Sequence, residues 1–489
     1  MKYDFLIKNI RVVRPNKTTV DAVDIAVKNG KIAKVQSNIS VDELENVQNV
    51  FDGKNYLAFP GLVDAHMHTG IYAPLGEDAV TESRAAAQGG VTSSLNYMRT
   101  GQYYLNKTGP YKEFFPEVLK VSEGKFHVDY AYHLAPIMYD HINEIEYLIE
   151  NQGVTSFKIF MFYGSHGLHG KAGNQNDFLM TPQHERYDYA HFEFVMRGVK
   201  RAMERFPEKA NHISLSLHCE TAEIMRAYTE IVEREGTLTG LHAYSASRPP
   251  HSEGLAIFIA SYLANETDCV NINLLHLTSR KAIDAAMLMQ AAFPNINFRR
   301  EVTIGHLLLD VDTPAAWRAK VNPPIRPRAD VEALWEALLD KKIDWVCSDH
   351  ACCKHEMKTD HSQSDNIFVA KSGFGGTEYL LSGLYTEGVK RGMSLNHIAE
   401  LTAWNPAQRY GLASKGDIAE GFDADIVLIN PDEKFIVRAA ESESQQGYTP
   451  FEGMELAGKV KATFLRGNLI FENDKIIGEA KGKYLKRPY

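Results

Sequence analysis

Two histidines one residue apart, His66 and His68, close the apolar run LAFPGLVDAHMH. Residues i and i+2 of an extended chain project to the same side, so both imidazoles can face one ion. An isolated pair of this kind is as readily a hydrogen-bonded structural pair. Further ligand-type residues shift that balance. His218 closes HISLSLH, His276 closes NINLLH, Asp349 closes IDWVCSD, and Lys158 lies inside SFKIFMF. Imidazole and carboxylate donors suit zinc (Zn2+) best, with Mn2+ or Co2+ as the alternatives. Two such ions side by side would perform metal-assisted hydrolysis.

Lys158 is flanked by Phe157, Ile159, Phe160, Met161 and Phe162. The pattern predicts burial, and a buried ammonium is costly. A snorkelling or ion-paired lysine is one solution. The other is reaction with CO2 to the carbamate, N6-carboxylysine. A carbamate has two oxygens, so it can bridge two ions about 3.5–4 Å apart while the metal neutralises its charge. Two divalent ions bring about +4. Carbamate, Asp349 and a bridging hydroxide bring about −3, so roughly +1 remains to polarise a carbonyl and hold an oxyanion. Asp349 would both ligate and carry the proton of the attacking water to a leaving nitrogen.

These residues need a frame that brings them together. Eight strand-like runs follow one another: LAFPGLVDAHMH, GVTSSLNYM, HVDYAYHLAPI, VTSFKIFMFY, HISLSLH, NINLLHL, NFRREVTIGHLLL and IDWVCSD. Amphipathic helical segments such as INEIEYLIENQ, KAIDAAMLMQAAF and ADVEALWEALLDK alternate with them. That order predicts an α/β fold, a (β/α)8 TIM-like barrel over residues 58–410. The C-terminal ends of barrel strands converge on one mouth, and five of the eight runs would deliver a ligand there. Short strands with turn signals fill residues 1–57 and 411–489 and are expected to meet in one small β-sandwich domain. The Gly- and Asn-rich stretch 164–180, with His166 and His169 expected at the surface, is a candidate lid.

Bulk properties narrow the class. Hydrophobic residues at 44% and charged residues at 24% are an ordinary globular balance for 489 residues. A net charge of −9 without a basic block argues against nucleic acid as a partner. The five cysteines, 219, 269, 347, 352 and 353, have no CxxC spacing and read as reduced, buried thiols. No apolar leader or membrane span is evident, so a cytoplasmic location with no membrane partner is expected.

The segments FPGLVDAHMH, RAAAQGGVTS, TSFKIFMFYG, LHCETAE, SRPPHSEG, LLHLTS, VNPPIRP, CSDHA, WNPAQRYGL, KGDIAEGFDADIVL, TPFEGMELAGKV and GKYLKRP resemble the amidohydrolase superfamily, and within it the hydantoinase/dihydropyrimidinase branch. The resemblance covers nearly the whole chain. It implies a hydrolase of cyclic amide or ureide C–N bonds, opening a hydantoin or dihydropyrimidine ring to an N-carbamoyl amino acid. It implies a binuclear centre in which His66, His68 and Asp349 hold the more buried ion, His218 and His276 the second, and carboxylated Lys158 bridges them. Tyr163 is implied as the oxyanion donor. Asn322 and Ser372 are implied as substrate-binding positions through their main chains, and a homotetramer or dimer as the assembly. Ile71, Tyr72 and Leu75 would meet a hydrophobic ring substituent. The chain departs from the family in two places. Branch members usually carry Ser in the first substrate loop and Asn in the second, which is the reverse of Asn322 and Ser372. The stretch between Lys158 and His218 is also longer than in typical members.

Neighbouring readings are an allantoinase or another cyclic imide or amide hydrolase of the same superfamily. A dihydroorotase would usually carry Arg just after its HxH, where this chain has Thr69, Gly70 and Ile71. A mononuclear deaminase would not need the lysine of SFKIF. Non-enzymatic, dihydropyrimidinase-like scaffold proteins keep the fold without the ligands, whereas all six ligand positions are filled here.

Overall fold

A computed structural model describes residues 2–46, 48–163, 167–168, 175–359 and 366–489. The chain begins with β1 (Phe5–Val13), β2 (Val20–Lys28), β3 (Lys31–Gln36) and β4 (Val50–Pro60). Asn29 and Gly30 turn β2 into β3 at φ 51° and 74°, the left-handed pair that a tight hairpin requires. At Gly61 the chain leaves this sheet for the barrel. A Cβ there would overlap the Thr92 side chain.

The barrel consists of β5 (Leu62–Met67), β6 (Val91–Met98), β7 (Asp129–Leu134), β8 (Ser156–Phe160), β9 (Ser214–His218), β10 (Asn271–Leu274), β11 (Asn297–Thr303) and β12 (Trp345–Cys347). Neighbours pair in parallel and in chain order. A parallel bridge between Met67 and His350 links the last strand back to the first, and the His68 N–H donates to the His350 carbonyl at 2.7 Å. All residues of β5 to β10 and of β12 are buried. Helices cover parallel strands on their outer face, so both faces are buried even where polar and apolar residues alternate, as in SLSLH and NINL.

Two of the eight expected runs lose part of their length to other elements. LAFP belongs to β4, in the other sheet. IGHLL forms a helix, Ile304–Leu308, because the Thr303 hydroxyl accepts the His306 N–H and caps it. Two of the expected helices stand at Arg280–Ala292 and Arg328–Leu339. INEIEYLIENQ divides into short helical pieces that stop at Gly153, φ 66°. In the candidate lid, residues 164–166 and 169–174, His166 and His169 among them, lie outside the described residues, and Gln175–Leu179 is a short helix.

The chain returns to the first sheet with β13 (Ile426–Ile436), β14 (Glu455–Leu465), β15 (Asn468–Glu472) and β16 (Lys475–Ile476). β13 pairs antiparallel with β4, so both ends of the chain build one eight-stranded mixed sheet. Ile7, Ile10, Ile25, Ile426, Leu428 and Phe464 share its apolar core. A buried ion cluster locks this domain to the barrel: Lys415 Nζ lies 2.9 Å from Asp129 on β7 and 2.6 Å from Asp425 just before β13. All five cysteines are free and buried. No helix among the described residues is long and apolar enough to cross a membrane.

The last residues run back along the barrel. Tyr484 bridges to Tyr130, and buried Arg487 donates to Ser156 Oγ at 2.7 Å and to the Tyr132 carbonyl at 2.5 Å. Gly482 permits the approach, since a Cβ would overlap the Val128 carbonyl and lie 2.7 Å from that of Phe126. Backbone cannot yield as a side chain can. Gly482→Ala should therefore cost about 1–3 kcal/mol, read as a lower urea midpoint, whereas Gly76→Ala, inside a helix where the added Cβ approaches Val121 at 3.5 Å, should leave the midpoint unchanged or raise it.

Candidate metal centre

Parallel pairing brings the ends of β5, β8, β9, β10 and β12 to one mouth, and the expected ligands stand there. His66 Nε2 and His68 Nε2 are 3.2 Å apart, and each is 3.1 Å from Asp349 Oδ1. Lys158 Nζ is 2.6 Å from His66 Nε2. His218 and His276 stand edge to face with ring centroids 4.3 Å apart, and His66 is 5.4 Å from His276. All six side chains are buried or nearly so. His276 and Asp349 hold φ of 34° and 52°, a left-handed backbone that costs on the order of 1–3 kcal/mol in a non-glycine residue and concentrates at functional sites.

Groups behind the ligands set which nitrogen faces inward. His66 Nδ1 donates to Glu301 Oε1 at 2.8 Å, which leaves Nε2 as a lone pair. Glu301 is anchored in turn by the Trp345 indole N–H at 2.8 Å and the His276 amide at 3.2 Å. His68 Nδ1 meets the Tyr104 hydroxyl at 2.6 Å. Tyr104 lies in an unusual segment, since Tyr103, Tyr104, Leu105 and Asn106 all have positive φ, between 47° and 73°. His218 Nε2 donates to Glu220 at 2.6 Å, and Glu220 is held by two bonds from Arg248, 2.9 and 2.5 Å.

The charges follow from this packing. Burial pulls His68 down to about 3, with Lys158 adding to the effect, and pulls His218 down to about 4. Burial lowers His276 also. Burial alone would raise the Asp349 carboxyl, but His66, His68 and Lys158 outweigh it and hold Asp349 well below the usual carboxylate range. Burial pulls the Lys158 ammonium down to about 8, which eases access to the neutral amine that CO2 attacks. Three imidazoles that burial holds toward the neutral form, a carboxylate and a lysine of lowered basicity stand with His66 in the site.

The donor set fits metal ions. The Nδ1 atoms of His218 and His276 are buried with no hydrogen-bond partner, and buried nitrogens are rarely left so. The Nε2 atoms of His66 and His68 face one another at 3.2 Å, with Asp349 Oδ1 and Lys158 Nζ crowded beside them. His66, His68 and Asp349 bring three ligand atoms within 4.8 Å.

The remaining expected residues divide. Asn322 and Ser372 line the cleft above the ligands, with Ile71, Phe160, Leu168, Val321, Ala351 and Gly373. Tyr72 and Leu75 line an adjoining recess, from which the Tyr72 hydroxyl donates to the Ser372 carbonyl at 2.5 Å. Tyr163 is one layer back. Its ring stacks on Phe160 at 4.7 Å and lies 5.5 Å from the Arg99 guanidinium, and it is not among the residues lining the cleft. Sequence reasoning missed Glu301, Tyr104, Glu220 and Arg248. The acid inside NFRREVT was a usable signal for Glu301, because a carboxylate in a buried strand needs a partner. Nothing in the sequence marks Tyr104.

Residues 183–470 match the Amidohydrolase family. An allantoinase of Salmonella choleraesuis (strain SC-B67) is 31% identical over 480 residues, 96% of each chain. One from Bacillus licheniformis is 30% identical over 496 residues, 99% of this chain and 100% of the other. Among solved structures, the dihydropyrimidinase of Brevibacillus agri NCHU1002 superposes with TM-score 0.83 at 24% identity, covering 99% of this chain and 98% of that one. The D-hydantoinase of a Bacillus sp. AR9 gives 0.84 at 25%, covering 99% of both. The chain belongs to the amidohydrolase family.

Glu301 touches no cleft surface, so its effect must pass through His66 and the His276 backbone. Glu301→Ala should lower zinc affinity or activity about 10- to 100-fold while the far-ultraviolet circular dichroism stays native. Unchanged zinc affinity would remove its assigned role.

Proposed function

We propose that the chain is a metal-dependent hydrolase that opens the C–N bond of a neutral cyclic ureide of the hydantoin or dihydropyrimidine type. The observation that carries the reading is the convergence of His66 Nε2, His68 Nε2, Asp349 Oδ1 and Lys158 Nζ at one buried point. His66, His68 and Asp349 would hold one divalent ion, His218 and His276 a second, and carboxylated Lys158 would join them. Bound there, two ions such as zinc supply a water of lowered pKa and polarise the scissile carbonyl.

The chain's own groups do the rest. Asp349, held ionised, accepts the proton of the attacking water. It returns that proton to the ring nitrogen as the C–N bond breaks. Water thus adds across the amide: OH goes to carbon, H to nitrogen, and an N-carbamoyl amino acid leaves. Ile71, Phe160, Leu168 and Val321 supply apolar walls, and no arginine lines the cleft among the described residues. That lining suits a neutral ring with an apolar substituent better than one carrying a carboxylate. Filled ligand positions weigh against a scaffold role.

A second reading, hydrolysis of allantoin, is favoured by the full-length allantoinase relatives. A panel of hydantoins, dihydropyrimidines, allantoin, dihydroorotate and cyclic imides separates the two. The proposal expects the highest kcat/KM on hydantoins or dihydropyrimidines. Turnover of allantoin alone would move the assignment to the second reading, and turnover of none would overturn both. Lys158→Ala should lose most activity and regain part of it with a short carboxylic acid, whereas full activity would rule out the carbamate. Tyr163 serves as oxyanion donor only if its ring turns from Arg99 to the cleft. In that case Tyr163→Phe lowers kcat more than it raises KM. An unchanged kcat would leave Tyr163 as packing.

A further inference from the structure

Behind the cleft, a chain of buried polar groups runs from the metal side to the substrate side. His218 donates to Glu220, and Glu220 is gripped by Arg248. Arg248 Nη1 donates to the Tyr244 hydroxyl at 3.2 Å, and that hydroxyl donates to Asn322 Oδ1. Asn322 Nδ2 then donates to the Leu168 carbonyl at 2.7 Å. A second tie fixes the same loop lower down. Arg326 donates to the Arg248 carbonyl at 2.5 Å and pairs with Glu253 at 2.7 Å. Every side chain in this path is buried.

The identity of residue 322 is what completes the path. An asparagine amide has an acceptor arm for Tyr244 and a donor arm for Leu168. A serine hydroxyl, the usual residue of this loop in the branch, is one short group and cannot span both. The hydrogen bonds are directional and desolvated, so the orientation of each group depends on the one before it. We propose that Arg248 and Tyr244 are positioning residues that brace the substrate loop from the metal-side His218, and that Asn322 is the specificity-determining end of that brace.

The inference rests on the ring-opening reading for its kinetic readout and carries one that does not. Tyr244→Phe removes a hydroxyl and keeps the ring. On the best hydantoin or dihydropyrimidine of the panel it should raise KM roughly five- to tenfold, with kcat within about twofold and zinc content unchanged. Asn322→Ser should do the same, and the double variant should be no worse than either single one, because both cut one path. Additive effects, or unchanged KM in both single variants, would overturn the brace. Independently of turnover, hydrogen exchange of the peptide spanning 319–326 should slow when zinc is added to the apo-protein, and Tyr244→Phe should abolish that response. Exchange that ignores zinc in the unsubstituted protein would also overturn it. Failure of the ring-opening reading alone would leave the zinc response intact.

Discussion

Two ring nitrogens turned toward each other dominate this structure. His66 and His68 are each fixed through Nδ1, by Glu301 and Tyr104, and their Nε2 atoms are turned toward each other at 3.2 Å beside Asp349 and Lys158. Folding does not favour such an arrangement for its own sake. The ring nitrogens are buried and crowded against one another, and two non-glycine residues of the cluster adopt left-handed backbone. A cation at that point would turn the opposition into coordination. The surrounding fold is organised around keeping that point dry and its walls rigid.

The barrel meets this demand through closure. Strands buried on both faces hold their ends in fixed relation, and the β5–β12 link through His350 sets His68 and Asp349, two of the proposed ligands, against one another. The mixed sheet contributes from outside. Lys415 ties β7 to the return of the chain, and the final residues lie against β7 and β8 at Tyr130 and Ser156. Stability is thereby invested in the frame while strain is confined to the mouth.

Much of this was legible in the sequence, and the reason is periodicity. Seven of the eight barrel strands are buried throughout, and five of the eight runs carry a ligand-type residue at or near the end. Ligand types are chemically rare inside apolar runs, so Lys158 and Asp349 stood out. Strand ends were less legible where a cap or a glycine decided them. Thr303 turns IGHLL into helix, and Gly61 moves LAFP to the other sheet. The supporting layer was least legible. Tyr104 reaches His68 from four consecutive left-handed residues that no pattern announces, and Glu220 meets Arg248 only through tertiary contact. The exchange of Asn322 and Ser372 was visible as a departure from the branch, but its sense emerged only when the two arms of Asn322 were seen to reach Tyr244 and Leu168.

The central claim is that six buried side chains form a two-ion centre. Elemental analysis of the purified protein, grown with zinc and exchanged into metal-free buffer, tests it most directly. The account predicts about two divalent ions per chain, as a carbamate-bridged pair requires. Protein that retains ring-opening activity with less than about a tenth of an ion per chain, far below what such a centre needs, would contradict it.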